Sequence, residues 1–353
     1  MSTECAPAPR AQRRALDKDG WRQACRIALA GLACLALAKL FNRPFGALFA
    51  VYPILLLGLV PVYTPRVVLQ FVAASPASIV VANLLAIASQ IAPPLAGIVF
   101  LLFATGCFRL MARGRWFLFG ALCMVSTSIL AHLGSYPQIP RDDLYAAQWM
   151  ATLLATFAGG LAHALLPEHR AMPAPTPPAP PSLMRHQILL GAICATASYA
   201  AFQVLDLSDS LSAQAATVLI LFPMRLATGR RAAATRLAGT LLGTACAVAT
   251  QVLLYTHLSQ LLFLLALYGV GLLAFAVMHA REAAGPAVGL SAATAIAVLA
   301  GQLTPHIDLL GLSLYRVASV GVAVGGMMLL IFMVQALLNL FPASRDPDTA
   351  ALQ

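Results

Sequence analysis

Charge is scarce in this chain of 353 residues: 10% are charged and only 12 are acidic, against roughly a quarter charged in an ordinary soluble domain. Together with 60% hydrophobic residues and a mean hydropathy of +0.84, that scarcity excludes a water-soluble globular protein. Several chemical signatures are missing as well. There is no CxxC and no Cys/His cluster at zinc spacing, so no metal site is expected. Six of the seven cysteines lie in or beside apolar runs and read as small packing residues, while Cys5 sits in the N-terminal tail. No GxxxxGK(S/T) loop occurs, which leaves no ATP machinery. The nearest approach to a clustered acid and base is His306-Ile307-Asp308, too sparse for catalysis. The expectation is no enzyme, no catalytic residue and no cofactor.

The net charge of +10 does not point to nucleic acid, because no basic stripe interleaves with aromatics. Lys and Arg gather instead at the ends of apolar runs, as membrane topology demands. About 20 apolar residues cross a bilayer. Charges and turn residues cut the chain into apolar stretches at 23–41, 45–63, 67–90, 93–112, 115–134 and 144–166, then 186–205, 210–224, 236–255, 258–278, 284–303 and 310–340. These predict an all-α polytopic membrane protein of about twelve transmembrane helices. Pro76, Pro93 and Pro94 predict kinks or breaks between 67 and 112. Ala171 to Ser182, AMPAPTPPAPPS, holds six prolines in twelve residues and reads as an extended linker.

The predicted organisation is a cytoplasmic tail (1–22), a six-helix membrane unit (23–166), a Pro-rich cytoplasmic linker (167–185), a second six-helix unit (186–340) and a cytoplasmic C-terminal tail (341–353). Arg26 inside the first run and Lys39 at its end suit an uncleaved signal anchor. With the N-terminus inside, 18 of the 22 Lys and Arg residues fall on the cytoplasmic side, leaving only Lys39, Arg43, Arg141 and Arg316 opposite. Arg225, Arg230, Arg231 and Arg236 form the densest basic loop, read as attraction to anionic lipid or as capture of an acidic cargo. Both termini are therefore expected in the cytoplasm of a bacterium, with the chain in its inner membrane.

Landmarks recur in the same order in the two halves. Gly31 matches Gly191, Leu59-Val60-Pro61 matches Leu221-Phe222-Pro223, and Gly120 matches Gly289. Asp142, Trp149 and Gly159-Gly160 match Asp308, Tyr315 and Gly325-Gly326. Six helices per repeat is an even number, so the repeats enter the membrane in the same direction, as two parallel bundles with a pathway between them. Gly239/Gly243, Gly285/Gly289 and Gly321/Gly325 make GxxxG steps, which predict close helix packing.

Arg236-Leu-Ala-Gly239-Thr240-Leu-Leu-Gly243 resembles the RxxGTxxG signature of fusaric acid resistance and aromatic acid exporter proteins. Arg26-Ile-Ala-Leu-Ala-Gly31 and the following Phe-Asn-Arg-Pro-Phe turn look like the same group. The stretch Leu161-Ala-His163-Ala-Leu-Leu-Pro167-Glu168 is similar to a related, uncharacterised bacterial inner-membrane family. The resemblance implies an efflux component that exports small, aromatic or anionic compounds together with a periplasmic membrane-fusion adaptor; a homo-oligomer is compatible with it. Larger members carry a cytosolic domain after helix six that this chain lacks. Two alternatives stand beside this reading: a non-transporting scaffold of an envelope complex, and a major-facilitator-like transporter.

Ionisable groups within a membrane are functional candidates. Arg316 is a fixed positive charge for an anionic substrate, unless it snorkels or pairs with Asp308. Asp142 and Asp308 are candidates for proton coupling, or helix N-caps. His132, with His163 and His279, offers a proton relay or satisfied interfacial histidines. Asn83, Gln148 and Gln302, with Gln203, Gln214 and Gln251, line a polar pathway or bond between helices.

Overall fold

A computed structural model describes residues 16–60, 62–169, 180–205, 211–224, 226–254, 260–282, 287–302 and 309–345. Among these the regular structure is helical: α1 (Lys18–Leu40), α2 (Gly46–Leu59), α3 (Pro65–Ile91), α4 (Pro93–Ala112), α5 (Phe117–Leu133), α6 (Arg141–Leu165), α7 (Pro181–Val204), α8 (Leu211–Leu221), α9 (Leu226–Leu253), α10 (Leu261–Arg281), α11 (Val288–Gln302) and α12 (Leu309–Asn339). A single 3₁₀ turn, Pro342–Ser344, follows.

Local chemistry sets the boundaries. Pro93 and Pro94 open α4 and force Ala92 into extended backbone (φ −160°, ψ 126°), because a residue before proline avoids the helical region. Pro76, by contrast, is absorbed within a continuous α3. Asp17 accepts the Gly20 N–H at 2.6 Å and starts α1 five residues before the expected position, as a capping carboxylate does. α7 also starts five residues early, taking Pro181–Arg185 out of the expected linker. The largest correction is at α9. Arg230, Arg231 and Arg236 lie on this helix rather than in a basic loop, since Ala232-Ala233-Ala234 favours helix strongly. Arg225 lies outside the described residues.

Among the described residues seven helices, α1, α3, α4, α7, α9, α10 and α12, are long and apolar enough to cross a membrane. The apolar helices α2, α5, α8 and α11 have 14, 17, 11 and 15 residues. At 1.5 Å per residue each is under about 26 Å, short of a hydrocarbon core of about 30 Å. Their burial differs as well: 12 of the 14 residues of α2 are buried, whereas only 28% of the apolar windows of α10 and α12 is. The short helices therefore form the interior, and α3, α4, α9, α10 and α12, at most 39% buried over their apolar windows, form the wall. Val80, Leu84, Leu102, Val270, Val322 and Leu329 stand exposed on that wall. An apolar outer surface of this extent is solvated by lipid rather than water, so this is a membrane-embedded helical protein.

α2 packs on α1, α6 and α11, and α5 on α3, α4 and α8. α8 packs also on α7 and α12, and α11 on α9 and α10. The helices α1–α6 meet α7–α12 through α2 on α11, α5 on α8, α1 on α10 and α4 on α7. Glycines sit at several of these contacts. A Cβ on Gly31 would lie 2.7 Å from Leu272 of α10, and one on Gly191 would strike the Phe108 ring of α4. A Cβ on Gly120 would lie 2.7 Å from the Cys107 carbonyl oxygen of α4, and one on Gly289 would lie 2.6 Å from that of Phe275 of α10. Gly239 and Gly243 face α11, where a Cβ would meet the Val288 and Ala292 carbonyl oxygens. The expected packing step at Gly321 and Gly325 is not met among the described residues, where a side chain at either position would enter open space. Gly285 lies outside the described residues.

One buried ion pair clasps α1 to the end of α6. Arg26, 1% exposed, donates to Glu168 Oε2 at 2.5 Å and to the Leu166 carbonyl at 2.8 Å. A guanidinium taken out of water is costly unless paired and hydrogen-bonded, and here both conditions hold.

Candidate functional site

The short helices do not close completely on one another. They leave a cavity of about 70 Å³ at the centre of the bundle, bounded by α2, α5, α8, α9, α11 and α12. Most of its wall is aliphatic, including Val51, Leu122 and Val298. It adjoins a wider cavity of about 500 Å³, with which it shares Leu55, Leu219, Arg236 and Thr294. Toward the N-terminal end of α9 the wider cavity adds Thr228, Arg231 and Thr235, with Phe117 and Phe222 on its apolar side.

Two arginines line the inner cavity. Arg236 is carried by α9, which Gly239 and Gly243 hold against the α11 backbone. Its Nη1 donates to Thr294 Oγ1 at 3.1 Å, while its buried Nε has no partner among the described residues. Arg316 is the eighth residue of α12 and 6% exposed, and it donates to the Ser212 hydroxyl of α8. It does not snorkel. Among the described residues neither guanidinium has a carboxylate partner. Arg316 lies within range of the Arg236 charge. Two fixed cations thus share one small, largely apolar chamber, an arrangement that strongly favours entry of negative charge.

Another part of the wall is polar but neutral. Tyr52 of α2 donates to Gln148 Oε1 of α6 at 2.6 Å, and its hydroxyl lies 2.8 Å from Ser126 Oγ of α5. This triad ties three helices together, and Tyr52 and Ser126 present it to the cavity.

Of the residues singled out from sequence, Arg316 lines the cavity and Gln148 stands directly behind Tyr52. Asp142 is elsewhere: it is exposed in the first turn of α6, where a carboxylate complements the helix dipole. Asp308 lies outside the described residues. Asn83 is exposed on α3 and donates to Ile79 O of its own helix, so it faces outward rather than into a pathway. His132 is 0% exposed, set edge-on to Tyr136 and Phe202, and lines neither cavity. Gln302 ends α11 and lines neither. His163 stacks on Tyr63 with Nδ1 3.0 Å from Gly159 O, and His279 Nε2 lies 3.0 Å from Gly58 O.

Tyr52, Ser126, Ser212 and Thr294 carried no sequence signal of their own, because a lone hydroxyl in an apolar run looks like a packing residue. Arg236 did carry one, as the first residue of the RxxGTxxG stretch. The structure divides that motif between two tasks: its glycines seat α9 on α11, while Arg236 and Thr240 face the cavity.

Residues 23–158 match a family described as "Protein of unknown function (DUF2955)". The match runs from α1 through most of α6 and contains Tyr52, Ser126 and Gln148, but neither cavity arginine. It does not extend to the fusaric acid resistance group, whose likeness rests on the short motifs alone. No curated protein and no solved structure matches this chain.

Proposed function

We propose that this chain is a transporter rather than an enzyme: an inner-membrane component that moves small, anionic or aromatic compounds outward. The observation that carries the reading is the central cationic cavity joined to a wider one, since an interior chamber lined by two arginines with no carboxylate partner among the described residues is suited to receive negative charge rather than only to hold helices together.

In this reading the chain makes twelve crossings as two like-facing six-helix repeats with both termini cytoplasmic. Support comes from the order of helix lengths, in which the second and fifth helix of each half are the short ones. Support also comes from matched glycines making matched contacts, Gly31 and Gly191 between the halves and Gly120 and Gly289 within them. A crossing by a helix this short needs non-helical backbone to complete it, which a membrane tolerates only where it is buried in protein or lines a cavity. Broken helices around a site near mid-membrane are a recurrent transporter device. With Arg231 near the start of α9, the wider cavity faces the cytoplasm and the inner one lies deeper along the exit path. A periplasmic adaptor would receive the cargo.

The test is cellular accumulation of a panel of aromatic and aliphatic acids in a strain lacking the gene. The expected outcome is raised accumulation of at least one acid, reversed by the wild-type gene and not by Arg316→Gln made at equal abundance. Unchanged accumulation across the panel would favour the scaffold reading.

A further inference from the structure

The charge count in the inner cavity narrows the ligand further, on the premise that this cavity is the substrate site. We propose that Arg236 and Arg316 together bind one doubly charged tetrahedral oxyanion, a phosphonate or phosphate monoester, whose apolar part occupies the wider cavity.

Three observations lead there. First, the number of fixed charges: two guanidiniums line a chamber of about 70 Å³ with no carboxylate partner among the described residues. A monoanion would leave one positive charge uncompensated between aliphatic walls, whereas a dianion neutralises both. Second, the donors: guanidinium forks from α9 and α12 approach together with the hydroxyls of Ser212, Thr240 and Thr294. Planar forks bind oxyanions through paired N–H groups. Two forks and several hydroxyls suit three oxygens arranged around phosphorus better than the two oxygens of a carboxylate. Third, the shape: the inner chamber has room for a head group and little more, while the adjoining 500 Å³ space lined by Phe117 and Phe222 accepts an apolar body. The same head-group chemistry is available from a soluble organophosphonate or from a phosphomonoester lipid.

The test measures equilibrium binding to the full-length protein in zwitterionic lipid nanodiscs. The probes are phenylphosphonate and benzenesulfonate, which share a ring and a tetrahedral oxyanion but differ by one charge at pH of about 8.5, past the second ionisation of a phosphate-type group. Phenylphosphonate is expected to bind more tightly by about tenfold or more, the scale of one additional close charge pair. Arg236→Gln and Arg316→Gln should each erase that preference. Arg316→Lys keeps the charge but not the fork, so it should retain the preference at weaker affinity, and Arg22→Gln should change nothing. Equal affinity for the two probes, or a preference that survives both glutamine variants at unchanged fold, overturns the proposal. Adding phosphatidic acid to the nanodiscs separates the sources: competition with phenylphosphonate assigns the site to the lipid head group, and its absence to soluble anions. Binding without any effect on cellular accumulation would contradict the transport reading alone. Altered accumulation without a charge preference would contradict this inference alone.

Discussion

The chain buries arginine in two different ways. At the start of the bundle, Arg26 meets Glu168 at 2.5 Å and a backbone carbonyl at 2.8 Å, so one cation has one anion and the clasp between α1 and α6 is electrically complete. At the centre, Arg236 and Arg316 share a cavity, and among the described residues their side-chain partners are the hydroxyls of Thr294 and Ser212. Hydroxyls orient a guanidinium but do not neutralise it. The difference separates a charge used to hold helices together from charges held ready for something that enters.

Removing the anion from the complete pair should have the largest effect. Glu168→Ala leaves Arg26 buried without a counter-charge and is expected to lower stability by about 3 to 5 kcal/mol, read as the unfolding midpoint in detergent. Exchanging both partners for leucine and methionine should recover most of the loss. The cavity should respond in the opposite sense. Arg316→Met removes a buried charge that has no carboxylate partner among the described residues and is expected to raise stability by about 1 kcal/mol while abolishing anion binding; a loss as large as that of Glu168→Ala would mean that Arg316 is structural and would erase the contrast. The smallest effect belongs to the neutral wall: Tyr52→Phe removes one donor from the Tyr52, Ser126 and Gln148 triad and is expected to cost about 1 kcal/mol, with anion binding retained.

The architecture was legible in the sequence because apolar run length and proline placement act locally. α4 falls on its expected residues since Pro93 and Pro94 fix its start without help from the rest of the fold. α9 does not, because clustered charge reads as a loop signal where the alanine run around Arg230 and Arg231 decides for helix. The site was legible only in part. Arg316 stood out as a charge within an apolar stretch, and it lines the cavity. Asn83 stood out equally, yet it faces outward and bonds to its own helix, because polarity alone does not say which side of a helix meets the core. The pairing of Arg236 with Arg316 is a tertiary fact: 80 residues separate them, and only the convergence of α9 and α12 on the short helices brings them to one cavity.

Charge-selective thiol labelling tests the central claim most directly. Ala215 of α8 lines the inner cavity, and Ala215→Cys in a cysteine-depleted protein would be exposed to anionic and cationic methanethiosulfonate reagents of similar size, in intact cells and in inverted vesicles. A site built to admit anions should react faster with the anionic reagent, and that preference should vanish when Arg236 and Arg316 are both replaced by glutamine. A position inert from both sides of the membrane, or one modified faster by the cationic reagent, would contradict the account.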